Sequence, residues 1–191
     1  HATGTFDMRY MGGLRNRMRW TYATFLIGAL SLAGIFPLAG FWSKDEILAH
    51  AWGHGGAVGQ AVFWLALIAV LMTSFYMFRA FFMTFEGEFR GGSKSDPGAD
   101  DGQAVHLAES PVVMVLPLVV LGVASVAAGF LANPTTSLGV IPIHGMMEFL
   151  GQAPERVNVS LAAISSAVAA IGITLAYLMY QSRQISADRL T

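Results

Sequence analysis

Apolar residues run along this chain in five blocks, separated by stretches rich in glycine, proline and charge. Trp20 to Phe36 is apolar with small residues interleaved (Gly28, Ala29, Ser31, Ala33, Gly34). It predicts a membrane helix, segment A (20–36), whose small side chains admit a close neighbour and whose Trp20 and Tyr22 stand where interfacial aromatics are expected. Pro37 and Gly40 break the pattern, because proline lacks an N–H and glycine weakens a helix. The apolar character nevertheless continues through Phe41 and Trp42 into segment B (38–52), which is too short and too polar for an ordinary span of about 20 residues. A broken helix at membrane depth persists only where protein or a hydrated cavity surrounds its freed backbone groups.

Gly53-His54-Gly55-Gly56 reads as a turn. Segment C (57–85) is rich in Phe, Trp, Leu and Met, with Arg79 near its end, where it is expected to snorkel beside Glu86 and Glu88. Segment D (111–131) is predicted to start with Ser110 as N-cap and Pro111 at the first helical position, to kink at Pro117 and to close at Asn133-Pro134. Segment E (157–180) is heavy in Ala and Ser, which suits tight packing. Residues 1–19 form a charged surface arm around Gly12-Gly13, 86–109 a polar loop, 135–156 a loop with a short interfacial piece, and the end to Thr191 a polar amphipathic tail. The expected fold class is all-α, a polytopic transmembrane helix bundle with one discontinuous helix, treated as a single membrane domain over 1–191.

Composition supports lipid as the solvent. Of 191 residues, 54% are hydrophobic and only 12% charged, against about 25% charged in an average soluble domain. A net charge of −1 offers nothing to a polyanion, so the expected partner is a bilayer and not a nucleic acid. With no cysteine, disulfides, thiolate-held zinc and thiolate-bound iron–sulfur clusters are excluded from this chain. No metal-ligand spacing, phosphate-cradling loop or nucleophile triad is present. The chain opens on His1 without a signal-peptide pattern, and a fragment of a larger protein, cut at both ends, is expected.

Chemistry concentrates at Lys44-Asp45-Glu46, with His50 and His54 beyond. If segment B is helical, Glu46, His50 and His54 stand four residues apart on one stripe and Lys44 lies roughly 160° away. Titratable groups so spaced can pass protons through intervening waters. Lysine changes protonation when desolvated whereas arginine does not, which makes a lysine at position 44 a candidate proton switch. Two other readings stay open. Lys44 snorkels to an interface while Asp45 and Glu46 mark a helix start, and His50 and His54 simply adjoin a surface turn.

Several strings resemble the L-type subunit of respiratory complex I, the distal antiporter-like membrane chain of NADH:quinone oxidoreductase: Met8-Arg9-Tyr10-Met11-Gly12-Gly13-Leu14-Arg15, Phe25-Leu26-Ile27-Gly28, Leu32-Ala33-Gly34-Ile35, and Gly40-Phe41-Trp42-Ser43-Lys44-Asp45-Glu46-Ile47-Leu48. Phe75-Tyr76-Met77-Phe78-Arg79 and Thr84-Phe85-Glu86-Gly87-Glu88-Phe89-Arg90 resemble the same family further along. Phe36 departs from it, standing where a second proline is common.

The resemblance implies the later part of such a subunit, without its upstream lysine helix, final membrane helix and lateral helix. It implies that Lys44 lies in a discontinuous helix as the exit-side proton-transfer residue, with Asp45 and Glu46 as electrostatic partners and His50 as a further station. It also implies that NADH, flavin, iron–sulfur clusters and quinone are held by partner subunits of the membrane-bound complex and none by this chain. The expected setting is a bacterial inner membrane. The rivals are a subunit of a multi-subunit cation/proton antiporter and a passive membrane anchor.

Overall fold

The structure, a computed structural model, describes residues 2–54, 56–99, 105–131 and 158–182. Among them the regular elements are helices: α1 (Arg19–Ala33), α2 (Ala39–His54), α3 (Gly56–Phe85), α4 (Val112–Leu131) and α5 (Val159–Ala176), the last prolonged by a wide π turn over Tyr177–Gln181. Two helical stretches, Gly56–Phe85 and Val159–Gln181, are long and apolar enough to cross a membrane. Along α3 the large apolar side chains Val58, Leu65, Ile68 and Met72 are exposed. That suits a lipid-facing helix better than the core of a soluble domain.

Helix ends differ from the sequence reading in four places, each for a local reason. Segment A stops at Ala33 because Gly34 takes the left-handed conformation, at φ +82°. Ile35 N–H then donates to Leu30 O (3.1 Å) and Gly34 N–H to Ser31 O (3.0 Å), the pairing of a Schellman C-cap. The expected turn at 53–56 is shorter than its glycines imply, since α2 runs to His54 and α3 begins at Gly56. Ser110 does not cap segment D. Met114 and Val115 both donate to Pro111 O, so Pro111 occupies the cap position and the helix starts at Val112, with Pro117 inside it. Segment E starts at Val159, where the Asn158 side chain accepts from Leu161 N–H as an N-cap. The readings made for Asn133-Pro134, 135–156 and the tail from 183 lie outside the described residues.

The chain divides into two compact units. The first comprises His1–Ala29, Phe75–Gly122 and Ile173–Thr191. Its interior is aromatic: Tyr22 meets Phe81 and Phe85 with ring centroids 5.1 and 5.5 Å away, and Phe82 meets Tyr177 at 5.7 Å. The arm of residues 2–18 is laced to the loop after α3. Ser93 and His106 donate to Thr3 O and Ala2 O, the Thr5 hydroxyl to Asp96, and Arg15 reaches Glu86 at 3.3 Å. Arg79 lies over the Tyr180 ring, 5.4 Å from its centroid, while Glu86 pairs with Arg15.

Glu109 caps α1 from the loop, accepting from Trp20 N–H (2.8 Å) and the Thr21 hydroxyl (2.7 Å). Burial works to raise this carboxyl, but hydrogen bonds from the Thr21 hydroxyl and from the backbone of Trp20, Thr21 and Ser110 outweigh it and hold it below its ordinary value near 4.5. The stabilisation is therefore complete above that ordinary value and disappears as the pH falls through the lowered one. Glu109→Gln is expected to lose roughly 0.5–1 kcal/mol of stability at neutral pH, solvent screening included. In thermal melts of the protein in detergent, the gap from wild type should narrow as the pH is lowered from the ordinary value; a gap that does not narrow in acid contradicts the charge argument.

The second unit comprises Leu30–Ser74 and Val123–Gly172. Leu48, Phe63, Leu67 and Leu161 form its main core, and Phe41, Trp42 and Ala162 a smaller cluster. Ser74, fully buried, donates to the carbonyls of Val70 and Leu71 one turn back, so its hydroxyl is spent on its own helix.

Candidate functional site

The break between α1 and α2 is built by small residues. At Gly40 an added Cβ would lie 1.8 Å from Ser31 O, so the two helices touch backbone to backbone there. Gly40 N–H points at the Ser31 hydroxyl (3.4 Å), which also accepts from Ser125 of α4 (2.9 Å). Between the helices the chain turns through a cis Phe36–Pro37 bond, with Leu38 N–H on Ile35 O.

Lys44, one turn into α2, folds back over this break. Its Nζ donates to Leu32 O, a carbonyl at the end of α1 that the Schellman pairing leaves open. The lysine stem runs against Gly34, where an added Cβ would meet Cδ at 3.1 Å and Nζ at 3.9 Å. The side chain is half-buried, and its cation sits at the negative end of the α1 dipole.

The other sequence-predicted residues separate. Asp45 is buried at 3% exposure with Oδ1 unpartnered, and the buried Trp42 Nε1, one turn earlier on the same side of α2, is likewise unpartnered. Glu46 and His50 lie on the exposed face. The described side chains therefore bring Lys44 to α1 and Asp45 into the unit, whereas Glu46 and His50 share the exposed side of α2. His54 is the last residue of α2. No group of three or more His, Cys, Asp or Glu suited to a metal ion occurs among the described residues.

Gly34, the Leu32 carbonyl and the Ser31–Ser125 hydroxyl pair are participants that sequence reasoning did not single out. Gly34 and Ser31 carried a signal only as members of a small-residue face. Chemically the arrangement offers an amine with one defined acceptor and limited solvent, a setting in which the charge of lysine responds to changes around it.

Residues 1–74 match the family described as NADH:quinone oxidoreductase/Mrp antiporter, transmembrane. Over 96% of its length the chain is 39% identical to NAD(P)H-quinone oxidoreductase chain 5 of Picosynechococcus sp., covering 29% of that protein. It is 38% identical to chain 5 of Synechocystis sp. over 91% of its length, and 38% identical to the chloroplastic subunit 5 of Nephroselmis olivacea over 97%, covering 30% and 27% of them. The chain thus spans less than a third of the relatives it matches.

Proposed function

We infer the function of this chain from its kinship: it belongs to the antiporter-like membrane subunits of NADH:quinone oxidoreductase, as an L-type, subunit-5 relative. It forms part of a proton-translocating subunit of that enzyme. Electron transfer from NADH through flavin and iron–sulfur clusters to quinone takes place in partner subunits, and this chain carries protons at a site built on Lys44. The membrane is the inner membrane of a bacterium, where the other membrane-arm subunits are its neighbours. The observation that carries the reading is the amine of Lys44 seated on Leu32 O at the break between two helices.

In this reading Lys44 takes up a proton, holds it against the end of α1 and releases it when neighbouring charge changes. Asp45, buried on the next position of the helix, sets the field in which it does so. Glu46, on the exposed face, adds a second carboxylate to that field, and His50, one turn further on the same face, serves as a further station.

The test is Lys44→Ala in the intact oxidoreductase, reconstituted in proteoliposomes. Proton transfer through this chain is expected to fall about a hundredfold, the scale of a lost acid–base group. Fewer protons would then move per electron pair while NADH oxidation in uncoupled vesicles persists. Wild-type proton counts from the variant would leave a passive anchor as the better description.

A further inference from the structure

We propose that Lys44 completes the C-cap of α1 and that Gly34 is the positioning residue that seats it, an inference that rests on the relay role given to Lys44 above. Three carbonyls near the end of α1 are answered in sequence: Leu30 O by Ile35 N–H, Ser31 O by Gly34 N–H, and Leu32 O by the Lys44 amine. The first two partners are backbone groups and do not change. The third is a side chain whose charge can change, so the cap of α1 is strongest when Lys44 holds its proton.

Gly34 makes this seat possible in two ways. Its φ of +82° lies in the left-handed region that the cap needs and that a Cβ disfavours. Its missing side chain leaves the lane along which the lysine stem lies, since a Cβ would stand 3.1 Å from Cδ. An alanine there crowds the stem at Cδ, which must give by a few tenths of an ångström, and strains the left-handed backbone beside the seat, so the amine no longer meets Leu32 O in the same geometry. Asp45, the next residue, is turned into the unit, and Glu46 and His50 lie on the exposed face, so the carbonyl at the end of α1 is the defined partner of the amine. Proton occupancy and the hold between α1 and α2 are then linked, each strengthening the other.

The experiment compares Gly34→Ala, Lys44→Ala and the double variant in the intact oxidoreductase, reading assembly, proton movement per electron pair and its pH profile. Gly34→Ala is expected to slow proton transfer through this chain about tenfold, as a small displacement of a transfer group does, and to displace the pH profile. On a Lys44→Ala background it should add nothing. Wild-type pumping and pH profile in Gly34→Ala would overturn the proposal, and so would a further loss on the Lys44→Ala background.

If Gly34→Ala fails to assemble, recovery of assembly in the double variant supports the seat, because removing the lysine stem removes the clash. Failure of both assigns the need for glycine to backbone conformation alone and overturns it. Normal pumping by Lys44→Ala would instead strike the relay reading. The seat is then judged by whether Gly34→Ala lowers the melting temperature of the Lys44 protein further than that of the Lys44→Ala protein, the part common to both being the strain of a Cβ at positive φ.

Discussion

Gly40→Ala is expected, on the proposed function, to remove this chain's protein from the assembled complex. The new methyl group would lie 1.8 Å from Ser31 O, and the obstacle is backbone, which no rotamer change relieves. Helices α1 and α2 must then separate, and separation also breaks the Gly40 N–H to Ser31 contact and displaces Phe41 and Trp42 from their cluster with Ala162. Overpacking of this kind costs about 3 kcal/mol or more, a large part of the stability of an ordinary domain. Native gels and immunoblots of membranes should show the subunit depleted, whereas Gly28→Ala on α1, where an added Cβ meets nothing within 4 Å, leaves it at normal levels. Normal abundance of the Gly40 variant would mean that α1 and α2 do not approach as described.

Lys44→Arg is expected to leave the complex assembled and NADH oxidation in uncoupled vesicles intact, yet to stop proton transfer through this chain nearly as fully as alanine does. Arginine preserves the positive charge at the end of α1 and can still donate to Leu32 O, so the cap survives. It does not give up its proton in a protein, so transfer through it falls about a hundredfold. Protons counted per electron pair separate the two roles proposed for this side chain. Arginine pumping like lysine would show that charge alone is required.

How much of this was legible in the sequence depends on the kind of information each residue carries. The break was visible because Pro37 and Gly40 interrupt an apolar run, and Lys44 because a charge so close to that run is costly. The manner in which α1 ends was not visible, since a glycine that packs against a neighbour and one that adopts positive φ are the same letter. Helical spacing put Glu46, His50 and His54 on one stripe but gave no direction for it, and the structure turns Asp45 inward and Glu46 and His50 outward. Gly53 read as a breaker, yet it lies within α2, and Gly59 of α3 lies where a Cβ would approach Ala51 O at 2.4 Å, so that glycine serves contact between helices. Ser110 seemed the natural cap, but its place was taken by Pro111, whose carbonyl needs no side chain to receive the first helical bonds.

The 30 residues of α3 make a rod about 45 Å long, whereas the hydrocarbon slab is about 30 Å thick. Either the rod leans steeply or its last turns stand clear of the oil. Arg79, six residues from one tip of the rod, has the flat of Tyr180 beside it, and an arginine so placed has the reach to bring its charge out to the headgroups while its methylene stem stays in the oil.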